Sequence, residues 1–310
     1  MPSAETGAAG LRYHQLHRLG RTGWTRTVLG SAGLALGLLV TAQVVGGIYL
    51  GVGEPFGEIS TDPLTPVGLA FVTGTLALAV PLTVVTSRLV HELPRGWVSS
   101  VVGRIRWRWL LVCSGLAAVA LGASIGLSLL LPETGGASLE GTAGEVTDRT
   151  IAFALIIVLA IPLQAAGEEY GFRGYLTQAV GGIAPGRVGA AVAVVVPALL
   201  FALAHGVQDP PVFVDRFAFG LVAGLLVIAT GGLEAGIAMH VLNNWVFFGL
   251  ALVFGDISEA LAPVAGTWWL LPVTFVQSLG YLALVLWVGR LRGVETATEQ
   301  VVLEAKRPRV

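Results

Sequence analysis

Hydrophobic positions along the chain fall into long unbroken runs separated by short polar or glycine- and proline-rich segments. A membrane-crossing helix needs about 20 apolar residues. Eight runs meet that length, near 27–50, 64–87, 109–131, 150–171, 188–206, 213–231, 236–254 and 267–289. The fourth continues as a more polar helix toward Val180. Polar punctuation follows the first, third and fourth runs as GEPFGEISTDP, PETGGASLEGTAGE and GGIAPG. No internal repeat breaks the series. The pattern predicts an all-α polytopic membrane protein with one membrane domain. Its parts are a polar N-terminal segment (1–26), a first group of spans (27–149), a core (150–254), and a last span with a polar tail (255–310).

Composition agrees. The chain has 310 residues, 55% hydrophobic and 12% charged. A soluble domain carries about 25% charged residues. Net charge is −1, which gives no attraction to nucleic acid. The single cysteine, Cys113, lies in an apolar run, so no intrachain disulfide is possible. The first 26 residues are too polar for the apolar part of a signal peptide, and the first run reads as a retained helix.

Arginines sort the connecting segments. Arg12, Arg18, Arg21 and Arg26 precede the first run. Arg88, Arg95, Arg104, Arg106 and Arg108 surround the second connection, Arg187 follows the fourth run, and Arg290 and Arg292 end the eighth. The alternate connections are acidic, with Glu54, Glu58, Asp62, Glu133, Glu140, Glu145, Asp148, Asp256 and Glu259. Both termini are expected in the cytoplasm of a multi-pass cell-membrane protein. The stretch 97–109, WVSSVVGRIRWRW, reads either as an interfacial segment with tryptophan anchors or as an ordinary basic loop. His14, His17 and His91, in the basic segments, are expected to be solvated.

The costly groups are few. Glu168 and Glu169 end the fourth run, and one carboxylate near a bilayer centre costs about 2.5–3.5 kcal/mol on insertion scales. Arg173, His205, His240, Asn243 and Asn244 complete the inventory, while Asp215 and Arg216 read as interfacial. Residues four apart share a helix face. Glu169 can therefore pair with Arg173, and His240 shares a face with Asn244. Glu168 lies about 100° around the helix from Glu169 and is left to partners on other helices. Asn243 points elsewhere and receives no role. By depth along the runs, His205 lies toward the outer end of the fifth and His240 toward the inner end of the seventh, a mismatch for a common site.

A carboxylate beside a histidine in a low-dielectric cavity suits proton abstraction from water. A second histidine with an asparagine on its face supplies donors for an oxyanion. The set therefore supports acyl-bond hydrolysis. There is no GxSxG and no HExxH. Two histidines and a glutamate are also a legitimate zinc set, which leaves metal binding open.

At these residues the chain resembles the CPBP family of intramembrane proteases, which includes the CaaX prenyl proteases and the bacterial Abi-type proteins. EEYGFR (168–173) is similar to EExxxR, FALAH (201–205) to FxxxH, and HVLNN (240–244) to HxxxN. The resemblance covers about residues 150–250. It implies that Glu168 and His205 activate water, that His240 and Asn244 steady the oxyanion, and that Glu169 and Arg173 support them. It implies an intramembrane endopeptidase acting on membrane-embedded or lipidated peptides, with either a glutamate mechanism or a zinc held by Glu168, His205 and His240. A proton-coupled transporter using the same groups, and a non-catalytic scaffold or immunity-type partner, are the competing readings.

Overall fold

The computed structural model describes residues 10–53, 65–131, 144–184, 186–254 and 266–299. Glu54, Glu58, Asp62, Glu133, Glu140, Asp256 and Glu259 lie outside the described residues. A 3₁₀ helix over Tyr13–Leu19 precedes the bundle. The helices are α1 (Trp24–Gly53), α2 (Pro66–Ala77), α3 (Ala79–His91), α4 (Trp107–Ser128), α5 (Asp148–Leu159) and α6 (Ile161–Glu169). A π-helical turn (Tyr170–Leu176) leads into α7 (Thr177–Gly181), and α8 (Gly186–Ala204), α9 (Pro210–Thr230), α10 (Glu234–Phe254) and α11 (Leu270–Leu291) follow. No strand occurs among the described residues. Among the described residues the helices form eight spans long and apolar enough to cross a membrane. Bulky apolar side chains such as Leu111, Leu155 and Trp287 cover the outside of the bundle, the inverse of a soluble protein's surface.

Two of the spans are broken where proline dictates. Pro81 and Pro162 have no amide hydrogen, and each ring collides with the carbonyl four residues earlier. The breaks fall at Leu78, between α2 and α3, and at Ala160, between α5 and α6. The fourth span runs from Asp148 to Gly181, 34 residues, and passes through the π turn. π turns widen a helix locally and often mark functional sites. This one directly follows Glu168 and Glu169.

The end of the bundle that carries residues 10–23 and 292–299 is closed by a packed layer. Tyr13, Leu16, Leu93, Val98, Val101 and Leu233 are buried together. The backbone ties the pieces: Ser100 bridges to Gly232, and Arg12 to Ala297. Arg106 borders this layer. It holds Glu234 through two guanidinium nitrogens, at 2.9 and 2.7 Å, and donates to the carbonyls of Thr230 and Glu295. The 97–109 stretch is thus part packed layer and part surface, with Arg104, Trp107 and Arg108 exposed. Its residues 98–101 are buried, because their backbone pairs with residues 231–233 and their side chains fill the layer.

The three histidines of the basic segments are corrected as well. His14, His17 and His91 are buried, not solvated. His17 stacks on His91 with ring centroids 3.9 Å apart, and His91 shares a hydrogen bond with Tyr175 of the π turn at 2.9 Å. Burial, then the neighbouring His91, holds His17 well below the ordinary histidine range. Burial, then Arg12 and Arg18, takes His14 down to about 4. Both rings are neutral in the folded protein at pH 7. The unfolded chain takes up these protons first, near pH 6.5. The associated stability is full above about pH 6.5 and is lost as pH falls from there toward 4. The thermal midpoint in detergent should drop over that window, and His14→Phe with His17→Phe should flatten the drop. An unchanged slope in the double variant would refute burial as its cause.

Candidate active site

Glu169 is the hub of the site, and it is fully buried. Its Oε1 accepts from Arg173 at 2.9 Å, as the four-residue spacing predicts, and also from His240 Nδ1 at 3.0 Å. The Arg173 guanidinium lies over the Phe201 ring, with Cζ 4.2 Å from its centroid. Three spans are thereby joined around one carboxylate. Gly236, one turn before His240, makes the approach possible: a Cβ there would stand 2.7 Å from Glu169 Oε2.

The bond to Glu169 fixes the His240 tautomer. A carboxylate only accepts, so Nδ1 carries the proton and Nε2 is the other nitrogen available. Nε2 lies 3.7 Å from Glu168 Oε2. His205 is fixed in the same way, since its Nδ1 donates to the Phe201 carbonyl at 2.8 Å and leaves Nε2 as the basic nitrogen. The mismatch in depth read from the sequence is removed here. The Phe201 ring stands 4.7 Å from His205 and 5.9 Å from His240, between the two imidazoles.

Glu168, His205, His240 and Asn244, from α6, the end of α8 and α10, line one cavity of about 450 Å³. Glu168 is not left without a partner on its own helix. Gln164, one turn earlier, donates through Nε2 to Glu168 Oε1, and its own Oε1 accepts from Asn244 Nδ2 at 3.4 Å. Gln164 was absent from the sequence inventory. The signal that could have found it is a polar side chain four residues before Glu168 in an otherwise apolar run. Gln164→Leu keeps the volume but removes both bonds. It should lower kcat for any reaction that uses Glu168 by about tenfold, consistent with about 1.5 kcal/mol for a hydrogen bond to a charged group, with little change in KM. Restoration by Gln164→Asn would argue against a requirement for this reach.

Asp215 and Arg216 also line the cavity and are not merely interfacial. Asp215 accepts from Thr274 of α11, and Arg216 donates to Gln208. Asn243, to which no role was given, lines the cavity too and accepts from Gln277 of α11 at 3.1 Å. Polar groups thus continue from Glu168 along α9, α10 and α11, while Leu69, Val212 and Phe247 make the remainder apolar.

Among the described residues no three His, Cys, Asp or Glu side chains are grouped to hold a metal ion. His240 Nδ1 is held by Glu169, His205 Nδ1 by the Phe201 carbonyl and Glu168 Oε1 by Gln164, so Nε2 of each histidine and Glu168 Oε2 are the atoms that a metal would use. As placed, Glu168, His205 and His240 are not grouped closely enough to hold a metal ion.

The architecture defines a polytopic helical membrane protein with a titratable, partly apolar cavity inside its bundle. Residues 150–246 match the family model described as Rce1-like, type II CAAX prenyl endopeptidase. The matched stretch contains all three motifs and every residue discussed around Glu169, so the resemblance to the CPBP proteases holds over the segment that carries the site. No curated protein and no solved structure matches the chain.

Proposed function

We propose that this chain is a cell-membrane endopeptidase that hydrolyses peptide bonds of membrane-embedded or lipidated substrates by water attack. The observation that carries the reading is the shared cavity: one carboxylate, two tautomer-fixed imidazoles and a carboxamide converge inside a segment similar to a protease family. Glu168, oriented by Gln164, takes a proton from water beside His205 Nε2. The hydroxide attacks the scissile carbonyl. Asn244 Nδ2 donates to the resulting oxyanion, and so does His240 Nε2 when the ring takes up a second proton from solvent and becomes an imidazolium between Glu169 and Glu168. The proton held by Glu168 passes to the leaving amine, and the C–N bond breaks. Apolar walls receive the hydrophobic side chains or lipid of the substrate, and they strengthen the polar contacts by excluding water.

The test is cleavage of a panel of bilayer-anchored peptides, lipidated and not, by the purified protein in liposomes, with its metal content measured alongside. His205→Ala should lose cleavage by at least about a hundredfold, the scale of one general acid–base partner, while inserting and eluting as wild type. Turnover by His205→Ala at the wild-type rate would end this reading.

A further inference from the structure

The cavity lies in one half of the bundle. Leu69 in the first turn of α2, Ser128 at the end of α4, His205 just past α8, Val212 in the first turn of α9, Leu250 near the end of α10 and Leu270 at the start of α11 all line it. Each stands at the same end of its helix, the end served by residues 54–65, 129–147, 205–209 and 255–269. Glu168 and His240 are the deepest polar groups. Beyond them Ala165, Tyr170, Ile237 and Val241 join the buried layer that includes Tyr13, Leu93 and Val98. Apolar packing, the 98–101 backbone pairing and the Arg106–Glu234 pair therefore separate the site from the end that carries residues 10–23 and 292–299.

Charge assigns the two ends to the two sides of the membrane. The four connections on the cavity end contain no lysine or arginine, and Arg149, in the first turn of α5, is the one arginine directly beside them. The opposite end carries Arg12, Arg18, Arg21, Arg95, Arg104 and Arg106, with Arg187, Arg290 and Arg292 at adjoining helix ends. Short basic segments remain in the cytoplasm. We propose that the site is reached from the extracytoplasmic side and is sealed from the cytoplasm, so its substrates are peptide segments exposed at or embedded in the outer half of the membrane. The substrate part of this statement rests on the peptidase reading above; the access part does not.

Thiol labelling tests access without requiring turnover. In a Cys113→Ala background, Val246→Cys probes the cavity, Val207→Cys the exposed 205–209 connection and Arg104→Cys the exposed basic end. A membrane-impermeant thiol reagent on intact cells should label Val207→Cys and Val246→Cys at least tenfold faster than Arg104→Cys. Inside-out vesicles should reverse the order. Leu250→Cys, a second lining position, replaces Val246→Cys if that variant fails to insert. Labelling of the cavity cysteine from the side that labels Arg104→Cys would overturn the proposal. So would labelling only by a lipid-soluble maleimide, which would place entry in the bilayer. Expected labelling in a protein that cleaves nothing would retain the access and remove only the peptidase reading.

Discussion

Glu168→Gln should lower kcat/KM for peptide cleavage by about 10²–10⁴-fold, the range assigned to a positioned general base. The substitution is nearly isosteric. Its amide oxygen can still accept from Gln164, so the link through Gln164 to Asn244 is preserved. What disappears is the charge and the ability to take a proton from water. Membrane insertion, thermal midpoint and the labelling pattern of cavity cysteines should be unchanged, since Glu168 faces the cavity and is not an ion-pair hub. Comparison of cleavage rates at equal amounts of folded protein measures the effect. Retention of activity within about threefold would remove Glu168 from the chemistry and favour a proton path or a scaffold role for the same cavity.

Arg173→Met is expected to give the largest loss of stability, about 3–5 kcal/mol, the cost of breaking a buried ion pair from one side. Arg173 and Glu169 are both fully buried, and they meet at 2.9 Å. Without the guanidinium, Glu169 keeps only His240 as a partner for its charge. The packing over Phe201 is lost as well. Removing both charges in Arg173→Met with Glu169→Gln should recover a substantial part of the loss, because the uncompensated carboxylate is what costs most. Unfolding in detergent by denaturant or heat, for the single and double variants, reads this directly. Equal stabilities of the two variants would contradict the ion-pair account. The double variant should still cleave poorly, since a carboxamide at 169 no longer demands the Nδ1–H tautomer of His240.

These two expectations divide the adjacent glutamates as the chain itself suggests. Four-residue spacing pairs Glu169 with Arg173 and turns Glu168 away, because helical periodicity is a local property. Length and apolarity alone likewise define the eight spans, since the bilayer imposes a fixed thickness on each. Arginine placement sorts their ends. The motifs at 168–173, 201–205 and 240–244 name the polar residues that an apolar helix would otherwise avoid.

Other features depend on contacts between segments far apart in the chain. His14, His17 and His91 sit in basic segments yet are buried, because the 3₁₀ helix packs against α3 and the π turn. The second partner of Glu169 is 71 residues away, and the contact needs a glycine at 236 that no spacing rule reveals. Gln164, Asp215, Arg216 and Asn243 read as incidental polar residues until the helices enclose one cavity. The chain by itself determined which groups would be expensive in a membrane, because that cost belongs to each residue and its span. Only the tertiary structure decided which of them share a cavity, which nitrogen of each histidine remains available, and which end of the bundle is closed. Those follow from packing between spans, where partners are chosen by geometry rather than by separation in sequence.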